Sequence, residues 1–173
     1  FSMGDLGRAL IHYDRAISID PDVANFHSNR GSVLALTGKF QEAIVSFEKA
    51  LEKDSRLMAA SDNLSRLLLN TGFFERAIEQ LYHSLRLRLR GFDLDFSGPS
   101  NDLLWSIKKL NCSAPLAKDL GNLIHGLGLS YQKLHHIDDA RTCFEVAISF
   151  LPSSAEINYS MAMLLFDQSE FES

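Results

Sequence analysis

Alanine recurs in this chain at a fixed interval. Ala9, Ala43 and Ala77 stand 34 residues apart, and Ala140 occupies the same local context further on. A period of that length leaves few architectures open. Spacings of 20–50 residues mark supersecondary units that cannot bury their own apolar face and must stack on a neighbour to do so. The chain is therefore expected to be an array of such units.

Other columns keep step with the alanines. Four residues after them come Tyr13, Phe47, Leu81 and Phe144, and seven after come Ala16, Ala50, Ser84 and Ala147. Twelve after come Pro21, Ser55, Leu89 and Pro152. Five before stand Gly4, Gly38, Gly72 and His135. Twelve before stand Gly31, Ser65 and Gly128, a column that Ala162 continues. Small, aromatic and small residues at i, i+4 and i+7 share one helical face. Such a face lets a partner helix approach closely while the ring fills the space beside it. The glycine ahead of the face supplies a turn in which positive φ is cheap. The proline ends the second helix. Each unit thus reads as two antiparallel helices joined by a short turn.

This pattern resembles the tetratricopeptide repeat, most closely from Gly31 through Gly38, Ala43 and Phe47 to Ala50, and again from Gly128 through Tyr131, Ala140, Phe144 and Ala147 to Pro152. The resemblance covers roughly residues 1–91 and 113–173. Ser55 and Leu89 depart from it at the terminal proline, Ser84 at an alanine, and His135 at the turn glycine. It implies an all-α, right-handed α-solenoid of antiparallel helix pairs.

Phase then divides the chain. A partial unit spans 1–23, full units span 24–57 and 58–91, a further unit spans 113–154, and a partial unit spans 155–173. Both ends fall in mid-repeat, which predicts a segment of a longer array. The last helix, 155–168, is apolar round most of its circumference from Tyr159 to Phe166. It is expected to need cover from self-association or from a continuing array. The step from Ala77 to Ala140 is 63 residues, too short for a silent extra unit. Residues 92–112 therefore form an insertion: a loop, a Gly98-Pro99 turn, and a short helix with Leu103, Leu104, Ile107 and Leu110 on one face. Ser113 and Pro115 then open a first helix about two turns longer than those of the other units. The insertion either plugs the gap between repeats or presents Phe92, Phe96 and Trp105 to a partner.

Composition narrows the function. A formal charge of −5 argues against a nucleic-acid backbone as the main ligand. No apolar run is long enough to span a membrane, and the N-terminal residues lack the features of a signal peptide. Two cysteines, Cys112 and Cys143, make no disulfide framework, which points to a reducing compartment, the cytoplasm or the nucleus. The adjacent His135 and His136, with Asp138 and Asp139, fall in a turn and serve a tetrahedral metal poorly. The arginines at 86, 88 and 90 read as a solvated face near a helix end, paired with Asp93 and Asp95. No catalytic or phosphate-binding motif is present, so neither enzymatic activity nor a cofactor is expected.

In the family that the chain resembles, the first helices line a concave groove that takes a peptide or a helix of a partner protein. Carried onto this sequence, the groove column holds Asn29 and Asn63, adjacent rungs of the asparagine ladder that some members carry, and it breaks off at Gly126 and Ser160. An Asn amide both donates and accepts, so two such rungs could clamp an extended backbone. Asn25, Ser32, Asp62, Arg66, His125, Gln132 and Lys133 flank it. The family's carboxylate clamp needs cations where this chain has Ala59 and Asn63, so chaperone-tail binding is not expected. The resemblance implies a scaffold or adaptor. A recognition arm of a larger enzyme, such as a glycosyltransferase, and a structural spacer in an assembly are the alternatives.

Overall fold

The structure, a computed structural model, describes residues 3–96 and 100–171. The expected Gly98-Pro99 turn and the chain's two terminal residues at either end lie outside the described residues. Those described form nine α-helices and no strand: α1 (Met3–Ile19), α2 (Ala24–Leu36), α3 (Phe40–Lys53), α4 (Met58–Asn70), α5 (Phe74–Arg88), α6 (Ser100–Lys108), α7 (Ala114–Lys133), α8 (Ile137–Phe150) and α9 (Ala155–Phe171). The chain divides into two compact units, Phe1–Arg76 and Ala77–Ser173, and the division falls inside α5.

In the first unit α1 packs on α2, α2 on α3, α3 on α4, and α2 also touches α4. The column residues explain how closely α2 and α3 approach. Ala43, Phe47 and Ala50 on α3 are at most 1% exposed. A Cβ added at Gly31 of α2 would stand 2.9 Å from the Phe47 ring, so the absence of a side chain makes room for the ring. On α1 the equivalent Ala9, Tyr13 and Ala16 are only half-buried.

In the second unit α7 packs on α8, α8 on α9, and α7 also meets α9. The same device recurs more tightly, since a Cβ at Gly128 would lie 2.4 Å from Phe144, a ring with no exposed surface. At 20 residues, α7 is seven longer than α2 or α4. Just past its added turns, Gly121 abuts Leu151. Ser113 is the N-cap by backbone geometry but makes no side-chain capping bond, and the start is set instead by the proline in its first turn. The inserted α6 lays Leu103, Leu104 and Ile107, each 5% exposed or less, against α8.

Three of the turns share one geometry. Gly38, Gly72 and His135 have φ of 76°, 81° and 61°. The next residue in each case donates its amide to the carbonyl five residues back: Lys39 to Leu34, Phe73 to Leu68 and His136 to Tyr131. That is the Schellman bond, and it requires a left-handed residue just past the helix end. His135 adopts the conformation despite its Cβ, which costs about 1–2 kcal/mol relative to a right-handed residue.

Candidate functional site

The repeat sets two first helices of the first unit side by side. Ser32 on α2 and Arg66 on α4 are 34 residues apart and therefore equivalent in their units. Between them lies a pocket of 270 Å³. Its apolar lining comes from Ala35, Leu36, Phe40, Phe47 and Leu67, and its polar lining from Ser32, Asn63, Arg66 and Asn70. Phe47 is buried, whereas Leu36 and Phe40 are 67% and 47% exposed. The polar groups are linked. The Arg66 guanidinium donates to Asn63 Oδ1 at 2.8 Å, Asn63 Nδ2 approaches Ser32 Oγ at 3.5 Å, and Ser32 Oγ donates to the Ser28 carbonyl at 3.1 Å. Apolar surface beside a few oriented polar groups is the usual make-up of a recognition pocket.

The stacked helix pairs find their counterpart among known proteins. The family described as "Tetratricopeptide repeat" matches residues 24–57, and one described as "TPR repeat" matches residues 1–38. The fold resembles that of MamA (residues 41 to the end) from Desulfovibrio magneticus RS-1, at a TM-score of 0.73 and 15% identity over 98% of this chain and 79% of that one. Residues 1–57 carry tetratricopeptide repeats. PilF of Pseudomonas aeruginosa is also similar, at a TM-score of 0.66 and 20% identity, covering 97% of this chain and 64% of that one. So is the first repeat domain of Spaghetti (RPAP3) in complex with the HSP90 peptide SRMEEVD, at 0.61 and 13% identity over 87% and 96%. At such identities the likeness is one of fold. No curated protein matches the chain in sequence.

Within this array the structure distributes the expected site residues unevenly. Ser32, Asn63 and Arg66 come together in the pocket. Asn25 and Asn29 are exposed on α2 and are not part of its lining, while Asp62 is half-buried on α4. Of the two asparagine rungs, Asn63 lines this pocket and Asn29 does not. Asn63 uses its carbonyl oxygen to hold Arg66.

His125 was expected on the groove surface, but it is 7% exposed. Its Nε2 lies 2.9 Å from Ser160 Oγ and its ring centroid 5.7 Å from that of Phe144, so it belongs to the core of the second unit. Burial lowers its pKa, partly opposed by Glu156. It sits in the stretch of α7 buried continuously from Leu123 to Gly128, between Phe144 of α8 and Ser160 of α9. Gln132 and Lys133 lie at its C-terminal end, half-buried and exposed respectively.

In the insertion Phe92 and Phe96 are half-buried, and Trp105 is 40% exposed with Lys108 Nζ 4.5 Å above its ring. Arg86 donates to the Phe96 carbonyl and stacks on its ring, while Arg88 pairs with Asp119 at 3.3 Å. Burial pushes the Cys143 thiol far up, out of the reactive range, whereas Cys112 is half-exposed. Among the described residues no three His, Cys, Asp or Glu side chains could share a metal ion, and no helix is long and apolar enough to cross a membrane.

The residues that sequence reasoning passed over are the apolar ones: Ala35, Leu36, Phe40, Phe47 and Leu67. A signal for Phe40 existed. It stands in a column with Leu6, Phe74 and Ile137, three residues before each alanine, where a large apolar side chain opens the second helix.

Proposed function

We propose that the chain is a protein-interaction module without chemistry of its own, which holds a peptide segment of a partner protein in the pocket between α2 and α4. The observation that carries this reading is the pocket itself: exposed Leu36 and Phe40 beside the linked Ser32, Asn63 and Arg66. Exposed apolar side chains supply burial energy to a ligand, and the polar chain supplies orientation. Two structures with the same fold support it by analogy, one a complex with an HSP90 peptide and the other the pHsp70 complex of a yeast Sti1 repeat domain.

The test is selection of displayed random peptides on the immobilised chain, followed by solution affinities for the winners. Leu36→Glu and Phe40→Glu should each weaken binding by about tenfold, the loss of one good apolar contact. Val45→Glu, at an exposed position that lines a different surface, should leave it unchanged. Selected peptides that bind all three variants equally would place the ligand elsewhere.

A further inference from the structure

The groove reading leaves open what kind of segment fits. Resting on that reading, we infer that the pocket takes an extended peptide with an acidic side chain seated on Arg66 and an apolar side chain two residues away against Leu36 and Phe40.

The charge argument starts from the lining. Among the described residues that form the pocket, Arg66 is the only charged one. Its guanidinium is exposed, and Asn63 Oδ1 accepts one of its hydrogens. A guanidinium carries five N–H donors in a rigid plane, so the others can present a fork to a carboxylate. Asn63 fixes that plane, and Ser32 ties Asn63 back to the α2 backbone through Ser28. Holding the fork beforehand reduces the ordering cost of binding. Asn63 is thus a positioning residue for Arg66.

Geometry selects a side-chain carboxylate over a chain end. From Asn63 to Asn70 the lining of α4 runs about 10 Å, at 1.5 Å per residue. That is about three residues of extended chain. Arg66 stands between Asn63 and Asn70, not at an end of the row. A C-terminal carboxylate at Arg66 would leave part of the row bare, whereas a side chain lets the peptide run on past it. In an extended segment, residues i and i+2 point to the same side. An apolar residue at that spacing from the acid can turn the same way, toward Leu36 and Phe40, the most exposed apolar groups of the lining.

The experiment uses fluorescein-labelled amidated octapeptides, Gly-Ser-Phe-Ala-Glu-Ala-Ser-Gly and its Gln counterpart. A third peptide, ending in Phe-Ala-Gly with a free carboxyl terminus, completes the set. Affinities come from fluorescence anisotropy at low and high salt, with circular dichroism confirming that each variant is folded. The Glu peptide should bind about tenfold tighter than the Gln peptide at low salt, and the advantage should shrink as salt screens it. Arg66→Gln should erase the Glu/Gln difference while leaving the Gln peptide's affinity in place. Arg66→Lys should retain only part of the difference, because it keeps the charge and loses the fork. Asn63→Ala should reduce the difference without changing the affinity for the Gln peptide, a result that general unfolding could not produce. Equal affinity of the Glu and Gln peptides, lost on Leu36→Glu, would overturn the acidic ligand and keep the groove. Preference for the free carboxyl terminus would overturn the side-chain assignment. No binding of any of the three would overturn this inference whatever the displayed-peptide selection yields, and that selection judges the groove separately.

Discussion

Adding one methyl group at Gly128 tests the contact on which the helix pairs depend. The new Cβ would lie 2.4 Å from Phe144 Cε1 and 2.6 Å from Cδ1. The nearer contact is about 1 Å short of ordinary carbon–carbon separation, deep in the repulsive wall. Phe144 has no exposed surface, and Ala140, Cys143 and Ala147 around it on α8 have none either, so the ring has nowhere to retreat. Overpacking of this kind costs about 1–3 kcal/mol, and a clash with a fully buried ring belongs in the upper half of that range. The better helix propensity of alanine returns about 1 kcal/mol. Gly128→Ala should therefore destabilise the fold by about 1–2 kcal/mol, read as a lower urea midpoint with unchanged slope. Two controls make the reasoning strict. Gly7 lies in α1 with nothing within 4 Å of an added Cβ, so Gly7→Ala should stabilise by up to about 1 kcal/mol. Gly31→Ala, with its milder 2.9 Å approach to Phe47, should fall between the two. Combining Gly128→Ala with Phe144→Leu should recover part of the loss, because the smaller side chain gives up the space that the new Cβ enters. A Gly128→Ala protein as stable as the parent would refute the close-approach account of the 34-residue columns.

The remaining predictions concern two histidines. His135 holds a left-handed conformation at φ 61°, where its two counterparts are glycines. His135→Gly should raise stability by about 0.5–1 kcal/mol, as relief of the Cβ strain outweighs the added freedom of the unfolded chain. Equilibrium urea unfolding reads this directly, and a loss of stability would mean that the side chain contributes more than its strain. His125 is kept neutral by burial, with its folded pKa below the ordinary 6.5. The unfolded chain then binds the proton first, so this contribution is complete above pH 6.5 and is lost as pH falls toward the lowered folded value. His125→Gln should flatten stability against pH in that window. An unchanged slope would assign the acid sensitivity to other groups.

Most of the fold was legible in the sequence, because close approach between helices leaves a periodic trace. Gly31 and Gly128 face Phe47 and Phe144 in the structure as their columns imply. The turn column foretold left-handed residues and is right at Gly38, Gly72 and even His135, whereas Gly4, its fourth member, lies inside α1. The 63-residue step marked α6 and the lengthened α7, and α6 buries Leu103, Leu104 and Ile107 against α8. The site was less legible. Ser32, Asn63 and Arg66 were expected in the groove, but His125, expected on the same kind of surface, lies in the core. Its column gave no warning, since the repeat reports which face a residue occupies and not what the neighbouring α8 and α9 lay over it. Nor did charge spacing reveal that Arg88 pairs with Asp119 on α7, 31 residues away.

Period and phase are local properties, set by one helix packing on the next, and so the string of residues alone was enough to establish helix pairs, their turns and the place where the array is interrupted. The hydrogen-bonded chain from Ser28 through Ser32 and Asn63 to Arg66, and the apolar lining beside it, belong to two helices meeting in space. Side-chain rotamers and burial determine which polar groups satisfy each other and which stay open to a partner. Those depend on the neighbouring helix as much as on the residue itself, and only the folded structure decides them.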